Sequence, residues 1–190
     1  MSIRTRLSSE ESRALALAAA HALLLADGPA AVTLKAVAAK VGRTHANLLH
    51  HFGSAAGLQQ ALAQHLTAQV AASIAASVQG GLASPRAIVD LVFDAFGPGG
   101  GGALAQWMLA TGQDGALDPF AAAIRQVVDG LFGNGSAAPA RLHETALALV
   151  LLALGDALLG QRLAGAMDLG PGAARTQAEA LVAAALAQPS

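Results

Sequence analysis

Residues 33–53 read TLKAVAAKVGRTHANLLHHFG, and the punctuation of this stretch decides the fold. Thr33 can cap a short helix over 34–41, because its hydroxyl accepts an orphan amide of the first turn. Gly42 ends that helix by taking the left-handed backbone that a side chain resists. Thr44 caps a second helix over 45–51, and Gly53-Ser54 closes it and caps the next. Two short helices joined by a tight turn need a small residue where they touch, a glycine in the turn and an aliphatic anchor on the second helix. Ala38, Gly42 and Leu48 supply these three, with Val37, Val41 and Leu49 as further inner-face residues. The pattern is a helix-turn-helix. Its second helix is expected to present His45, Ala46, Asn47 and His50 outward, short enough for the backbone to approach a major groove.

Outward from this segment, similar breakers divide the rest of the chain. Residues 9–27 form an apolar-rich helix that stops at Gly28-Pro29, where proline cannot continue the ladder. Downstream, Leu58, Leu62, Leu66, Val70, Ile74 and Val78 recur every four residues along the longest helix, 55–79, as one slowly winding stripe. Further helices are expected over 85–96, 103–112, 119–132, 140–164 and 173–187. The run GPGGGG at 97–102 reads as a flexible break; it lacks the Gly-Lys-Ser/Thr ending of a phosphate loop. A composition 54% hydrophobic but only 3% aromatic, with no tyrosine, suits alanine-rich helices better than sheets. The expected fold is therefore all-α, with about nine helices. Residues 1–54 would form a three-helix head, and residues 55–190 a helical body entered through the connecting helix 55–80.

Charge singles out the same end. The chain carries a net charge of −1, yet residues 1–53 hold six cations against three acids, while the remainder holds five against nine. Phosphates respond to the local field of one face, so a polarised chain stays compatible with nucleic acid. The absence of cysteine removes disulfides, thiolate nucleophiles and Cys-type zinc sites. His45, His50 and His51 share a short helix without carboxylates at ligand spacing, so no metal and no cofactor is expected. His21 and His65, in apolar helical surroundings, read as satisfied core or interface histidines. Neither a Gly-x-Ser-x-Gly elbow nor a catalytic carboxylate pair occurs, and the chain is not expected to be an enzyme. Residues 145–155 are nearly all apolar but lie between Glu144 and Asp156, short of the ~20 residues a membrane span needs. A cytoplasmic protein without membrane association is expected.

Taken together, Asp27-Gly28, Thr33, Val37-Ala38, Gly42, Leu48, His51-Phe52 and Leu58 resemble the TetR family of dimeric transcriptional regulators over about residues 10–66. The resemblance implies a three-helix DNA-binding head, a long fourth helix leading into a divergent helical body, and dimerisation through the last two long helices. It places Lys35 and Asn47 at positions that reach base edges, with His45 as a third. Lysine suits guanine acceptors, and asparagine can pair doubly with adenine. Thr33, Arg43, Thr44, His50 and His51 would contact phosphate and set the register. Three of these have a plainer reading: Thr33 and Thr44 as caps alone, His51 as a bridge between helices. Leu49 and Ala55 depart from the family, which often has a phosphate-touching tyrosine and lysine there; fewer such contacts imply weaker, less salt-sensitive binding.

In the body, Phe93, Phe96, Trp107, Met108, Phe120 and Phe132 gather most of the bulky side chains. They are either ordinary core or, for the first five, the wall of a cavity for a small, mainly apolar effector. Leu142, Thr145, Leu149, Leu152, Ala153 and Leu159 leave the eighth helix apolar around much of its girth. Ala178, Leu181, Val182, Ala185 and Leu186 give the ninth a small-residue face. Four such helices would form a two-fold homodimer interface and set two recognition helices about 34–36 Å apart on double-stranded DNA. The expected function is a ligand-responsive DNA-binding transcriptional regulator: a repressor that binds a palindromic operator as a dimer and is released by its effector. The alternative, favoured by Leu49 and Ala55, is a helical apolar-ligand-binding protein with weak or no DNA binding.

Overall fold

The computed structural model describes residues 8–80, 84–111, 118–130 and 140–187, and among them the chain is helical, without strands. The helices are α1 (Ser9–Asp27), α2 (Leu34–Val41), α3 (His45–Phe52), α4 (Ala55–Gln79), α5 (Pro85–Phe96), α6 (Gly101–Ala110), α7 (Asp118–Gly130), α8 (Ala140–Ala166) and α9 (Ala173–Ala187). Local chemistry fixes their starts. Ser8 and Glu11 form a reciprocal capping box at α1, and the bonds from the Ser8 backbone and side chain hold the Glu11 carboxyl below its usual range. Ser84 accepts from Ala87 N at 3.1 Å, with Pro85 preset for the first turn of α5.

Two hydrophobic cores share α4. The first gathers buried residues of α1, α2 and α3 around Leu58 and Leu62, and Leu104 and Met108 of α6 close it. The second joins Ile74 of α4 to α5, α8 and α9. Leu66 and Val70, half-buried, lie on α4 between the two cores. The four-residue stripe is therefore continuous through both, and a fully buried leucine contributes on the order of 1.5–3 kcal/mol. Val78, the last stripe residue, lies outside the described side chains.

Ion pairs fasten α5 to α9. Arg175 donates to Asp90 at 2.8 Å and to Asp94 at 2.6 Å, and its guanidinium stands 5.2 Å above the Phe93 ring. Arg86 donates to the other oxygen of Asp90 at 2.8 Å. The bond from Arg86, then that from Arg175, hold the Asp90 carboxyl below its ordinary value. This clamp stabilises the fold above the ordinary aspartate range and is lost as pH falls through the lowered value.

Three expectations need correction here. The glycine run is not a free break: α6 begins at Gly101, and His21 Nε2 donates to the Gly99 carbonyl at 3.0 Å, docking the turn on α1. A Cβ at Gly102 would stand 2.9 Å from Ala157 Cβ and from the Phe96 carbonyl, so the side-chain-free position allows α6 to approach both α5 and α8. Second, α8 is 27 residues long, passes through a π-turn at Asp156–Gly160, and by length and composition alone could cross a membrane; the short-run argument fails. In this fold α8 packs on α5, α7 and α9. Third, the small-residue face of α9 is not free for a partner. Ala178, Val182 and Ala185 are buried within the subunit, and Leu181 and Leu186 are the exposed pair.

Candidate nucleic-acid interface

The helix-turn-helix forms as its sequence dictates. Thr33 Oγ1 accepts from Ala36 N at 3.1 Å, and Thr44 Oγ1 accepts from Asn47 N at 3.2 Å. Between these caps Gly42 takes φ +64°, and Val37, Ala38 and Leu48 fill the inner face. Leu49 was expected there too but turns outward, 43% exposed. The residue four beyond Leu48, one helical turn away, is Phe52, and it takes the inner site instead.

Outside, Lys35, Lys40, Arg43, Thr44, His45 and His50 are all exposed. They put cationic and hydrogen-bonding groups on α2, the turn and α3. Thr33 is exposed as well, and a capping threonine that accepts with its oxygen keeps its hydroxyl hydrogen for a phosphate. Asn47 departs from the outward orientation expected of it. It is half-buried, and its Oδ1 is shut off from solvent without a hydrogen-bond partner. Offering both amide atoms to a base requires a change of rotamer.

Residue Arg13, which the sequence did not mark as functional, seats the recognition helix. Its Nη1 donates to the His51 carbonyl at 3.0 Å, and its guanidinium lies 4.8 Å from the Phe52 ring centroid. A cation at a helix C-terminus answers the negative end of the dipole, and the ring contact adds about 0.5–1 kcal/mol. The half-buried His51 ring stands 5.8 Å from His50 and 6.3 Å from Phe52. The link from Arg13 runs to the His51 backbone carbonyl, and the ring contacts are to neighbours on α3 itself.

Residues 16–62 match the family model for bacterial regulatory proteins of the tetR family. These residues form a TetR-type DNA-binding domain. The matched span runs from Ala16 in α1 to Leu62 in α4 and so takes in most of the first core, while the body beyond Leu62 lies outside it. A comparison with curated proteins found no match. A domain of this type supports a DNA-binding transcriptional regulator.

The body beyond this TetR-type domain holds a partly open cavity of about 430 Å³ lined by α4 to α9. Phe96 and Met108 line it as the sequence suggested, but Phe93 and Trp107 do not. Phe93 lies instead beneath Arg175 in the second core. On α6, Leu104 and Met108 are one turn apart and face inward, leaving Trp107 off that stripe and half-exposed. The Phe120 side chain and Phe132 lie outside the described residues. Among the lining residues only Thr67 and Thr145 have polar side chains, and both hydroxyls donate back into their own helices, to Ala63 O at 2.9 Å and Arg141 O at 2.7 Å. Among the described residues no acid, base or cation lines the wall, and no cluster of metal-ligating side chains occurs.

Proposed function

We propose that this regulator is a homodimeric repressor whose paired heads, residues 1–54, bind a palindromic operator and let go when a small apolar effector enters the body, residues 55–190. Lys35 and His45 read base edges, with Asn47 joining after its side chain turns out. Thr33, Arg43, Thr44, His50 and the His51 ring hold phosphates and set the register. The dimer forms through α8 and α9, where Leu147, Leu151, Leu158 and Leu181 stand exposed, more apolar surface than a lone subunit readily leaves in water.

The observation that carries this reading is a shared wall. Leu104 and Met108 are fully buried in the core of the head, and the same two side chains bound the cavity. An effector that packs better against one setting of α6 biases the head against which those residues pack, and only by its difference in affinity for the two settings.

Titration of the protein with duplex from its own upstream DNA tests the proposal. Wild type shifts the duplex. Lys35→Ala weakens the preference for that duplex over scrambled DNA by roughly 5- to 150-fold if it meets a base; a lysine on phosphate weakens both alike and lowers the salt slope by about 1. Failure to bind at any salt concentration favours the second reading, an apolar-ligand-binding protein without DNA binding, for which the exposed Leu49 and the small Ala55 speak.

A further inference from the structure

We infer that the effector is a neutral hydrocarbon with no group that must hydrogen-bond, a narrower class than an apolar effector in general; the inference rests on the cavity being the effector site. A buried polar group without a partner loses its hydration and recovers nothing, so each unmatched hydroxyl, amide or carboxylate on a ligand counts against binding. Across the described wall the polar side-chain atoms are the Thr67 and Thr145 hydroxyls, and each gives its proton to a carbonyl of its own helix, so neither has a proton left to donate to a ligand. At mid-helix the helices bond their own backbones and add no donors; only Gly101 and Leu142, in the first turns of α6 and α8, lie among the described lining residues where amides lack an intrahelical acceptor. With no charged side chain among the described lining residues, an ionised ligand would enter without a counter-charge from them.

Size follows from the same cavity. An apolar protein cavity of ~150 Å³ takes one benzene, so about 430 Å³ filled alike takes about 17 carbon atoms. The wall is also plain in shape: Ala63, Ala71, Ala105 and Ala146 present methyl groups from four helical sites, while Phe96 and Met108 supply polarizable surface for a ring system. A fused-ring or terpenoid hydrocarbon of about 14 to 17 carbons matches these limits.

Equilibrium dialysis of the full chain against phenanthrene, 9-phenanthrol and phenanthrene-9-carboxylate at pH 7.5 separates the classes, since the three share one skeleton. The expected order is phenanthrene tightest, the phenol roughly 5- to 150-fold weaker, and the carboxylate without measurable binding. Thr67→Val and Thr145→Val should leave the phenanthrene affinity within about twofold. Ala71→Trp, which fills the space, should abolish binding, with the thermal unfolding midpoint confirming that the variant is folded; if it is not, Ala146→Leu serves the same end, and unaltered phenanthrene affinity in the folded variant places binding elsewhere and overturns the inference. Equal or tighter binding of the phenol or the carboxylate overturns the hydrocarbon class while leaving the cavity as an effector site. Binding of none of the three overturns both the class and the effector site.

Discussion

Gly57→Val is expected to abolish operator binding while the body of the protein stays folded. Gly57 lies in the first turn of α4, where its amide donates to Ser54 Oγ at 2.9 Å. A Cβ at this position would run into the carbonyl oxygen of Phe52, the last residue of α3. That neighbour is backbone, so it cannot swing aside as a long side chain would; the end of α3 must lift. Lifting it draws Phe52 and Leu48 off the first core and parts the His51 carbonyl from Arg13. Forcing extra atoms into packed structure costs about 1–3 kcal/mol and at times more. The branched valine falls at the upper end, and Gly57→Ala should give a smaller effect of the same sign. Thermal unfolding and titration with duplex DNA check both variants. Wild-type affinity in Gly57→Val would mean that the seat of α3 on α4 does not matter for DNA binding.

Leu151→Glu is expected to turn the dimer into monomers and to cut operator affinity by about 10²- to 10⁴-fold. Leu151 is 57% exposed in the subunit, one turn from Leu147, which is 60% exposed. Across a two-fold axis each residue is buried twice, at about 1.5–3 kcal/mol per leucine. The glutamate removes that gain on both sides and sets two unpaired charges in the interface. Two linked heads bind DNA more tightly than either alone because the second contact is intramolecular, and that advantage goes with the dimer. Sedimentation reads the assembly state, and the same DNA titration reads the affinity. A variant that remains dimeric places the interface elsewhere on the molecule.

Much of the head was legible in the sequence because its signals are local. Thr33, Gly42 and Thr44 each act within three or four residues of themselves, and the structure shows the two caps and the left-handed turn where they were expected. The error at Leu49 is a choice between neighbours on one helix: a 100° step decides which residue faces in, and Phe52 completes the stripe that Leu48 begins. Arg13 had no such signal, for its partner His51 lies 38 positions away. The glycine run was misread for the same reason. Its close approaches to α1 and α8 exist only after the fold has brought those helices together, and a string of glycines looks alike in a linker and in a tight joint. In the body, bulky residues drew attention to the cavity, yet small ones create it. Ala63, Ala71, Ala105 and Ala146 leave the space, and in so alanine-rich a chain nothing local sets them apart.

Selection from a pool of random duplexes by the full-length protein tests the central claim most directly. The account predicts an enriched sequence with two-fold symmetric half-sites whose centres lie about 10 base pairs apart or a multiple of that, and loss of its half-site consensus in Lys35→Ala. Duplexes that emerge without any shared sequence, or with a single unpaired site, would contradict it.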